Sequence, residues 1–343
     1  QNRITKMESG RASVAFATGM AAITSTMLAL LKSGDHLIAS AFLFGNTASF
    51  FATLERFGIE VSFVDATDMS NVAAAVKDNT RVVFVETIAN PATQIADLEA
   101  IGRLCSTYSI LYVVDNTMTS PHLFLPRSVN AGLSVNALTK YIGGHGNALG
   151  GTVTDTGRFN WESYPNILDT YKSDDHSMWG ITQIKKKGLR DMGGALGPEA
   201  AHHLAVGSET LPLRLDRACD NALALAEFCE SHPRIKKTFY PGLNSHPQYQ
   251  RAGNLFKKYG AIFSVELADE LDCFEFLNRM DTVVSSSNLG DNRSLGIPVA
   301  HTIFHEMGAE RRATMGISDS MIRFSVGLEE LEDLLRNFDE ALV

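Results

Sequence analysis

Arg81-Val82-Val83-Phe84-Val85-Glu86 and Ile110-Leu111-Tyr112-Val113-Val114-Asp115 are two apolar runs that each stop at a carboxylate. A strand with one face in water alternates apolar and polar side chains. These two do not, so helices are expected to cover both faces, as in a parallel sheet. The same pattern recurs on either side. Ala12–Ala17, His36–Ser40 and Val61–Val64 read as strands, spaced by helical patterns at Met20–Leu31, Thr47–Phe57 and Asn71–Val76. Leu98–Tyr108 reads as the helix between the two quoted strands, and Leu133–Leu138 as a further strand. Strand–helix alternation of this kind predicts an α/β fold with a large, doubly wound, mostly parallel sheet.

Further along, the pattern changes. Phe159–Asp175 is aromatic and polar without a period and reads as a long loop. Gln183–Leu211 reads as helical, interrupted near Gly193-Gly194-Ala195-Leu196-Gly197-Pro198. Beyond Arg214, helices are expected at Asp220–Glu230, Cys273–Arg279 and Leu328–Leu342. Strands are expected at Lys237–Tyr240, Ala261–Glu266, Thr282–Ser285 and Met321–Val326. This predicts a smaller C-terminal α/β domain, with residues 1–210 and 211–343 as the two domains.

The 343 residues carry a formal net charge of −9, with 45% hydrophobic and 20% charged residues. That balance argues against nucleic acid and anionic membranes as partners, since both need a cationic footprint. Cys105, Cys219, Cys229 and Cys273 match no zinc or redox spacing and read as reduced structural thiols. The apolar stretch Ile23–Leu31 is too short to span a bilayer. No signal peptide is recognisable, so a cytoplasmic location is expected. The chain opens at Gln1 part-way into a helical pattern and without Met, so further residues are expected upstream.

In open parallel sheets, ligands bind outside the carboxyl ends of the strands. Four such ends carry groups with chemistry. Thr18-Gly19-Met20 starts a helix, and reads either as a plain turn or as an anion site of backbone N–H groups. Glu86 closes one strand and is followed by Asn90-Pro91. Asp115 either caps a turn or offers a carboxylate to a protonated ring nitrogen. Lys140 follows an apolar strand and precedes Tyr141-Ile142-Gly143-Gly144-His145-Gly146. It is either a solvated lysine or a partly buried amine that loses its proton readily and suits Schiff-base chemistry.

Taken in order, Thr18–Ile23, Val85–Pro91, Val114–Thr117, Leu138–His145, Glu209–Arg214 and Ile322–Glu329 resemble the Cys/Met-metabolism family of pyridoxal-phosphate (PLP) enzymes. The resemblance covers essentially the whole chain. The family includes cystathionine γ-synthases, cystathionine and methionine γ-lyases and O-acyl-homoserine sulfhydrylases. It implies the fold type I architecture of PLP-dependent transferases and a PLP cofactor carried as a Schiff base on Lys140, which also moves protons between substrate carbons. It implies that Asp115 pairs with the pyridine N–H, making the ring an electron sink. Gly19 and Met20 then give backbone N–H groups, and Thr139 its hydroxyl, to the phosphate. Phe44 stacks on the ring, Asn90 lies near its phenolic oxygen, and Arg323 clamps the substrate carboxylate in a fork. Asn288 falls on the substrate side. The resemblance also implies a cytoplasmic homotetramer, a dimer of dimers with shared active sites.

Several positions depart from the family pattern. Ala137 stands where a phosphate-binding Ser is usual. Phe44 replaces a Tyr, which keeps stacking but removes a phenol. The arm that gives a Tyr and an Arg to the neighbouring subunit's phosphate would precede Gln1. Leu295–Thr302 replaces a His-Pro-Ala-Ser-Thr run and brings His301, read as a hydrogen-bonded structural group or a new acid–base contact. Asn46 stands where methionine γ-lyases have Cys, and Asn288 where lyases tend to have Ser. Gly157–Trp179 resembles the aromatic-rich insertion of the sulfhydrylases. The expected reaction is therefore γ-replacement on an O-acyl-homoserine in sulfur amino-acid metabolism, with γ-elimination by a cystathionine or methionine lyase as the alternative.

Overall fold

The computed structural model describes residues 1–343, with the side chains of residues 311 and 314 outside the description. The chain divides into two compact units. The first comprises residues 1–87, 95–139 and 147–205; the second comprises 88–94, 140–146 and 206–343. The two short segments after Thr87 and after Thr139, expected in the first domain, thus group with the second unit.

The first unit holds a seven-stranded sheet. Its elements are α1 (Asn2–Met7), β1 (Ala12–Phe16), α2 (Gly19–Leu30), β2 (His36–Ser40), α3 (Gly45–Leu54), β3 (Glu60–Val64), α4 (Met69–Ala74) and β4 (Thr80–Glu86). They continue with α5 (Leu98–Tyr108), β5 (Leu111–Asp115), α6 (Ser120–Leu123), β6 (Leu133–Ala137), β7 (Gly151–Asp155) and α7 (Trp179–Gln183). The strand order is β1-β7-β6-β5-β4-β2-β3. β3, β2, β4, β5 and β6 pair in parallel, and β7 runs antiparallel between β6 and β1. The expected mostly parallel sheet is present, and β2 and β5 are buried along their whole length.

Sequence reading overlooked β7. Its residues Gly151-Thr152-Val153-Thr154-Asp155 include one large apolar side chain, yet every position is buried. Threonine favours the pleated conformation without signalling a core. The expected loop at 159–175 contains two short 3₁₀ turns, anchored by Trp161, whose indole N–H donates to Asp155 Oδ2 at 2.7 Å.

The chain passes from the first to the second unit within α8 (Pro198–Glu209). The second unit continues with α9 (Leu211–Ser231), β8 (Ile235–Phe239), α10 (Tyr249–Leu255), β9 (Ile262–Leu267), α11 (Cys273–Asn278), β10 (Val284–Ser285) and β11 (Leu295–Pro298). α12 (Ala309–Thr314), β12 (Met321–Ser325) and α13 (Leu331–Ala341) complete it. The sheet order is β10-β11-β12-β9-β8, antiparallel except for the β10–β11 pair. α9 begins nine residues before the expected Asp220, with Pro212 in its first turn, where a missing N–H costs nothing. β11 was not foreseen because it contains Gly296 and ends at Pro298.

Alternation along β12 fixes its chemistry. Ile322 and Phe324 face the core, where Phe324 meets Phe263 at 5.2 Å and Phe338 at 4.8 Å between ring centroids. Arg323 and Ser325 therefore point to the opposite face.

All four cysteines are free and buried, and burial pushes their thiols up, away from reactivity. Among the described residues no helix is long and apolar enough to cross a membrane.

Phe84 on the central strand β4 is fully buried and packs edge-on against Phe51 at 5.0 Å. Phe84→Ala is expected to lower unfolding free energy by about 3–5 kcal/mol, read from urea denaturation followed by circular dichroism.

Candidate functional site

In the first unit, β1 leads to Thr18, which caps α2 by accepting the N–H of Ala21 at 2.9 Å. The N–H groups of Gly19 and Met20 lie in the first helical turn and have no partner within the helix. Gly19 is required sterically, because a Cβ there would lie 2.7 Å from the Cβ of Ala137 at the end of β6. The helix start is thereby pressed against the strand that leads to Thr139. The Thr139 hydroxyl accepts the N–H of Gly150 at 3.1 Å and lies 3.3 Å from the Gly150 carbonyl, to which it donates.

Glu86 and Asp115 end β4 and β5 and stand directly opposite each other in register. Both are buried. Asp115 Oδ1 accepts the N–H of Thr117 at 2.9 Å, while the Thr117 hydroxyl accepts the N–H of Ala137 at 2.8 Å. Glu86 Oε1 accepts the N–H of Phe44 at 2.7 Å, which fixes the start of α3. Burial pushes the Glu86 carboxyl up to about 8, helped by the neighbouring Asp115 charge, and pushes Asp115 up to about 6. Two buried carboxyls this close do not both ionise, so Glu86 keeps the proton and Asp115 carries the charge. Sequence reading named Glu86 as a strand end and gave it no role; its pairing with Phe44 requires the tertiary fold. Phe44 leaves its ring 41% exposed.

In the second unit, Lys140 Nζ donates to Asn288 Oδ1 at 2.6 Å. Burial, followed by the positive charge of Arg323, lowers this amine to about 8. Arg323 is 1% exposed. Its Nη2 donates to the carbonyls of Asn288 at 2.8 Å and Ser287 at 3.2 Å, and its Nη1 reaches Asn90 Oδ1 at 3.5 Å. Its Nε is buried without a partner, and no carboxylate pairs with it among the described residues. Burial lowers it to about 10. A buried guanidinium with an open donor and no counter-ion is a receptor for a carboxylate or phosphate.

Asn90 precedes a cis peptide bond to Pro91. The Pro91 carbonyl accepts from Ser264 at 2.8 Å, and Thr93 lies 3.3 Å from His246 Nε2. Because His246 Nδ1 accepts the N–H of Gln248, Nε2 carries the proton and donates to Thr93. These clips hold the segment bearing Asn90. Arg214, noted in the sequence only as part of a motif, holds the segment after Lys140. It donates to the carbonyls of Tyr141 at 2.8 Å, Ile142 at 3.2 Å and Gly207 at 2.7 Å. His301 is exposed, donates from Nε2 to the Asp319 carbonyl at 3.0 Å and packs on Phe274, which is the structural reading of that residue.

Within the first unit the fold thus places Gly19, Met20, Thr139 and Asp115 at helix and strand ends, with Phe44 tied to Glu86. Within the second it gathers Lys140, Asn288, Arg323 and Asn90.

These features belong to a known class. The chain is a member of the Cys/Met metabolism PLP-dependent enzymes, whose family model matches residues 1–343. It is 37% identical over 346 residues to an L-methionine γ-lyase of Fusobacterium nucleatum subsp. polymorphum, covering 100% of this chain and 82% of that protein. It is 36% identical over 358 residues to O-acetyl-L-homoserine sulfhydrylase 1 of Thermus thermophilus, covering 100% and 85%. The solved O-acetylhomoserine sulfhydrylase of Wolinella succinogenes matches with a TM-score of 0.91 at 34% identity, covering 100% of this chain and 95% of that one. The protein is therefore a PLP-dependent enzyme. The residues present fit the cofactor: unpartnered helix-start N–H groups, a buried carboxylate, and a buried lysine with a weakened hold on its proton.

Two outcomes follow. With Lys140 as the expected PLP-carrying amine, capture of PLP by the apoenzyme should speed up with pH through about 8, and Arg323→Gln should move that midpoint upward by removing a like charge. Stopped-flow absorbance reads both. Glu86 has a raised folded-state pKa, so its contribution to stability is full below the unfolded carboxyl range and is lost as pH rises through about 8. Glu86→Gln keeps the acceptor for Phe44 and should gain stability over the wild type as pH rises. Glu86→Leu removes the acceptor of the part-buried Phe44 N–H and should lose about 0.5–1.5 kcal/mol, measured by urea unfolding.

Proposed function

We propose that this enzyme catalyses γ-replacement on an O-acyl-homoserine, with sulfide or a thiol as nucleophile. PLP, when bound, supplies the electron sink that makes the substrate's carbon acids accessible. Lys140 would hold the cofactor through Nζ and would serve as the base that removes the α-proton and moves protons between substrate carbons. Asp115 pairs with the ring nitrogen. Gly19, Met20 and Thr139 hold the phosphate, with Ala137 contributing a methyl where relatives have a hydroxyl. Phe44 would stack on the ring, and Asn90 would lie near its phenolic oxygen. Arg323 binds the substrate carboxylate with its open Nε and the adjoining Nη.

The observation that carries replacement over elimination is the contact of Asn288 with Lys140. Lyases of the family tend to have Ser at this position; here an amide oxygen touches the proton-shuttling amine, and the same residue's carbonyl orients Arg323. Asn46, where methionine γ-lyases have Cys, and the Gly157–Trp179 insertion support the same reading. The 37% identity to a methionine γ-lyase supports elimination as the second reading. A cytoplasmic homotetramer with active sites shared between subunits, and a domain division near residue 210, complete the proposal.

Offered O-acetyl- or O-succinyl-homoserine with sulfide or cysteine, the enzyme is expected to form homocysteine or cystathionine, and to release little 2-oxobutyrate from methionine or cystathionine alone. Abundant 2-oxobutyrate from methionine would establish the lyase reading instead. Borohydride should fix the pyridoxyl group to the Lys140 peptide in the wild type and to no peptide in Lys140→Ala. Arg323→Lys should raise the KM for the acyl-homoserine by about 10–100-fold through loss of charged hydrogen bonds.

A further inference from the structure

Glu8 follows α1 and is completely buried. Three neutral donors converge on one of its oxygens. Oε1 accepts from Asn116 Nδ2 at 3.2 Å, Ser134 Oγ at 2.9 Å and Asn136 Nδ2 at 2.5 Å. Ser134 and Asn136 share one face of β6 by strand alternation, opposite the core residues Leu133 and Val135. Asn116 directly follows Asp115 at the end of β5.

Two buried atoms in this cluster have no partner: Glu8 Oε2 and Asn136 Oδ1. They belong to the same carboxyl and the same amide, already joined through Oε1 and Nδ2. As a carboxylate facing a carbonyl oxygen, neither atom can donate, and a buried acceptor without a donor is costly. A single proton on Oε2 removes both defects and closes an acid–amide ring. No charged group opposes this. Asp115 accepts from Thr117, and Asp155 accepts from Gly157 and Trp161. Arg127 donates to the Ser9 carbonyl, Arg11 to the Ser177 carbonyl and Arg3 to the Ala205 carbonyl, while Lys6 is exposed. Burial pushes the Glu8 carboxyl up to about 7 against the lowering effect of the hydrogen bonds from Asn116, Asn136 and Ser134, and an O–H···O bond to the amide favours the neutral form further.

We propose that Glu8 is a neutral carboxylic acid that donates from Oε2 to Asn136 Oδ1, tying the end of β5 to β6. Its consequence for the site is positional: it holds Asn116, and through it the turn that carries Asp115. That consequence, unlike the protonation itself, rests on the proposed role of Asp115.

The test uses the holoenzyme. Infrared difference spectra between wild type and Glu8→Gln at about pH 6 should show a protonated-carboxyl C=O band that the variant lacks. Its absence, with a carboxylate band in its place, would mean that an ionised Glu8 is served by a bridging water, and would overturn the proposal. Glutamine reproduces the pattern, accepting at the oxygen and donating from the nitrogen to Asn136. Glu8→Gln should therefore unfold within about 2 °C of wild type at pH 5, and gain on it as pH rises through about 7, where the wild type loses its acid proton. A large loss of thermal stability in Glu8→Gln at pH 5 would also overturn it. PLP affinity, titrated by fluorescence, should stay within about twofold in Glu8→Gln and weaken by about tenfold in Glu8→Ala. If Asp115→Asn leaves PLP affinity unchanged while the infrared band is present, the role of Asp115 fails and the protonated Glu8 stands.

Discussion

Ionisable groups buried without counter-charges are the constraint on which the rest of this structure depends. Removing a charge from water is expensive, and the usual remedy is an ion pair. Here the remedy is withheld at the strand ends. In the first unit, Glu86 and Asp115 face each other with no cation between them, and the pair holds on to a proton. In the second, burial lowers both Lys140 and Arg323, the Arg323 charge lowers Lys140 further, and neutral carbonyls and amides are their partners. Under the proposed function the missing charges come with the ligands: a protonated ring nitrogen for Asp115, and a substrate carboxylate for Arg323. The ligand charges then complete pairs that the protein's own side chains leave open.

The backbone is arranged to maintain that situation. Gly19 lets α2 begin in contact with β6, so the first helical N–H groups sit beside Ala137, two residues before Thr139. Gly290, with φ of +74°, packs its backbone on Lys140 and Tyr141, where a Cβ would come within 2.7 Å of the Tyr141 nitrogen. Arg214 holds the carbonyls that follow Lys140, and Ser264 and His246 hold the loop that bears Asn90. None of these groups carries charge chemistry of its own. Each removes freedom from a residue that does.

This division explains what could be read from the sequence. The parallel strands were legible because burial on both faces leaves unbroken apolar runs, as at Arg81–Glu86. The strand ends followed, because the chemistry of an α/β fold sits where such runs stop. β7 was not legible, since its burial is achieved by threonines. Glu8 and Arg214 were not either. The partners of Glu8 lie 108 and more residues away, and the carbonyls after Lys140 that Arg214 holds lie 72 or 73 away, and no local period registers such a bond. Glu86 was visible as a residue and invisible as a function, because its role depends on Phe44, 42 positions earlier.

The determinants of reaction type sit in a different layer from those of cofactor use. Under the proposed function, Lys140, Asp115 and the start of α2 provide what the whole family shares, and the near-equal identities to a lyase and a sulfhydrylase, 37% and 36%, fit such a common layer. Asn288 is where the layers meet. Its backbone carbonyl accepts from Arg323, as any residue there could, whereas its side chain accepts from Lys140. An amide oxygen stabilises the amine while the amine carries a proton to donate. A serine hydroxyl could accept from the amine or donate to it, and would serve both states. Under the proposed function, replacement and elimination both need Lys140 to return a proton to substrate carbon after the leaving group has gone, and the Asn288 oxygen holds the protonated amine for that transfer.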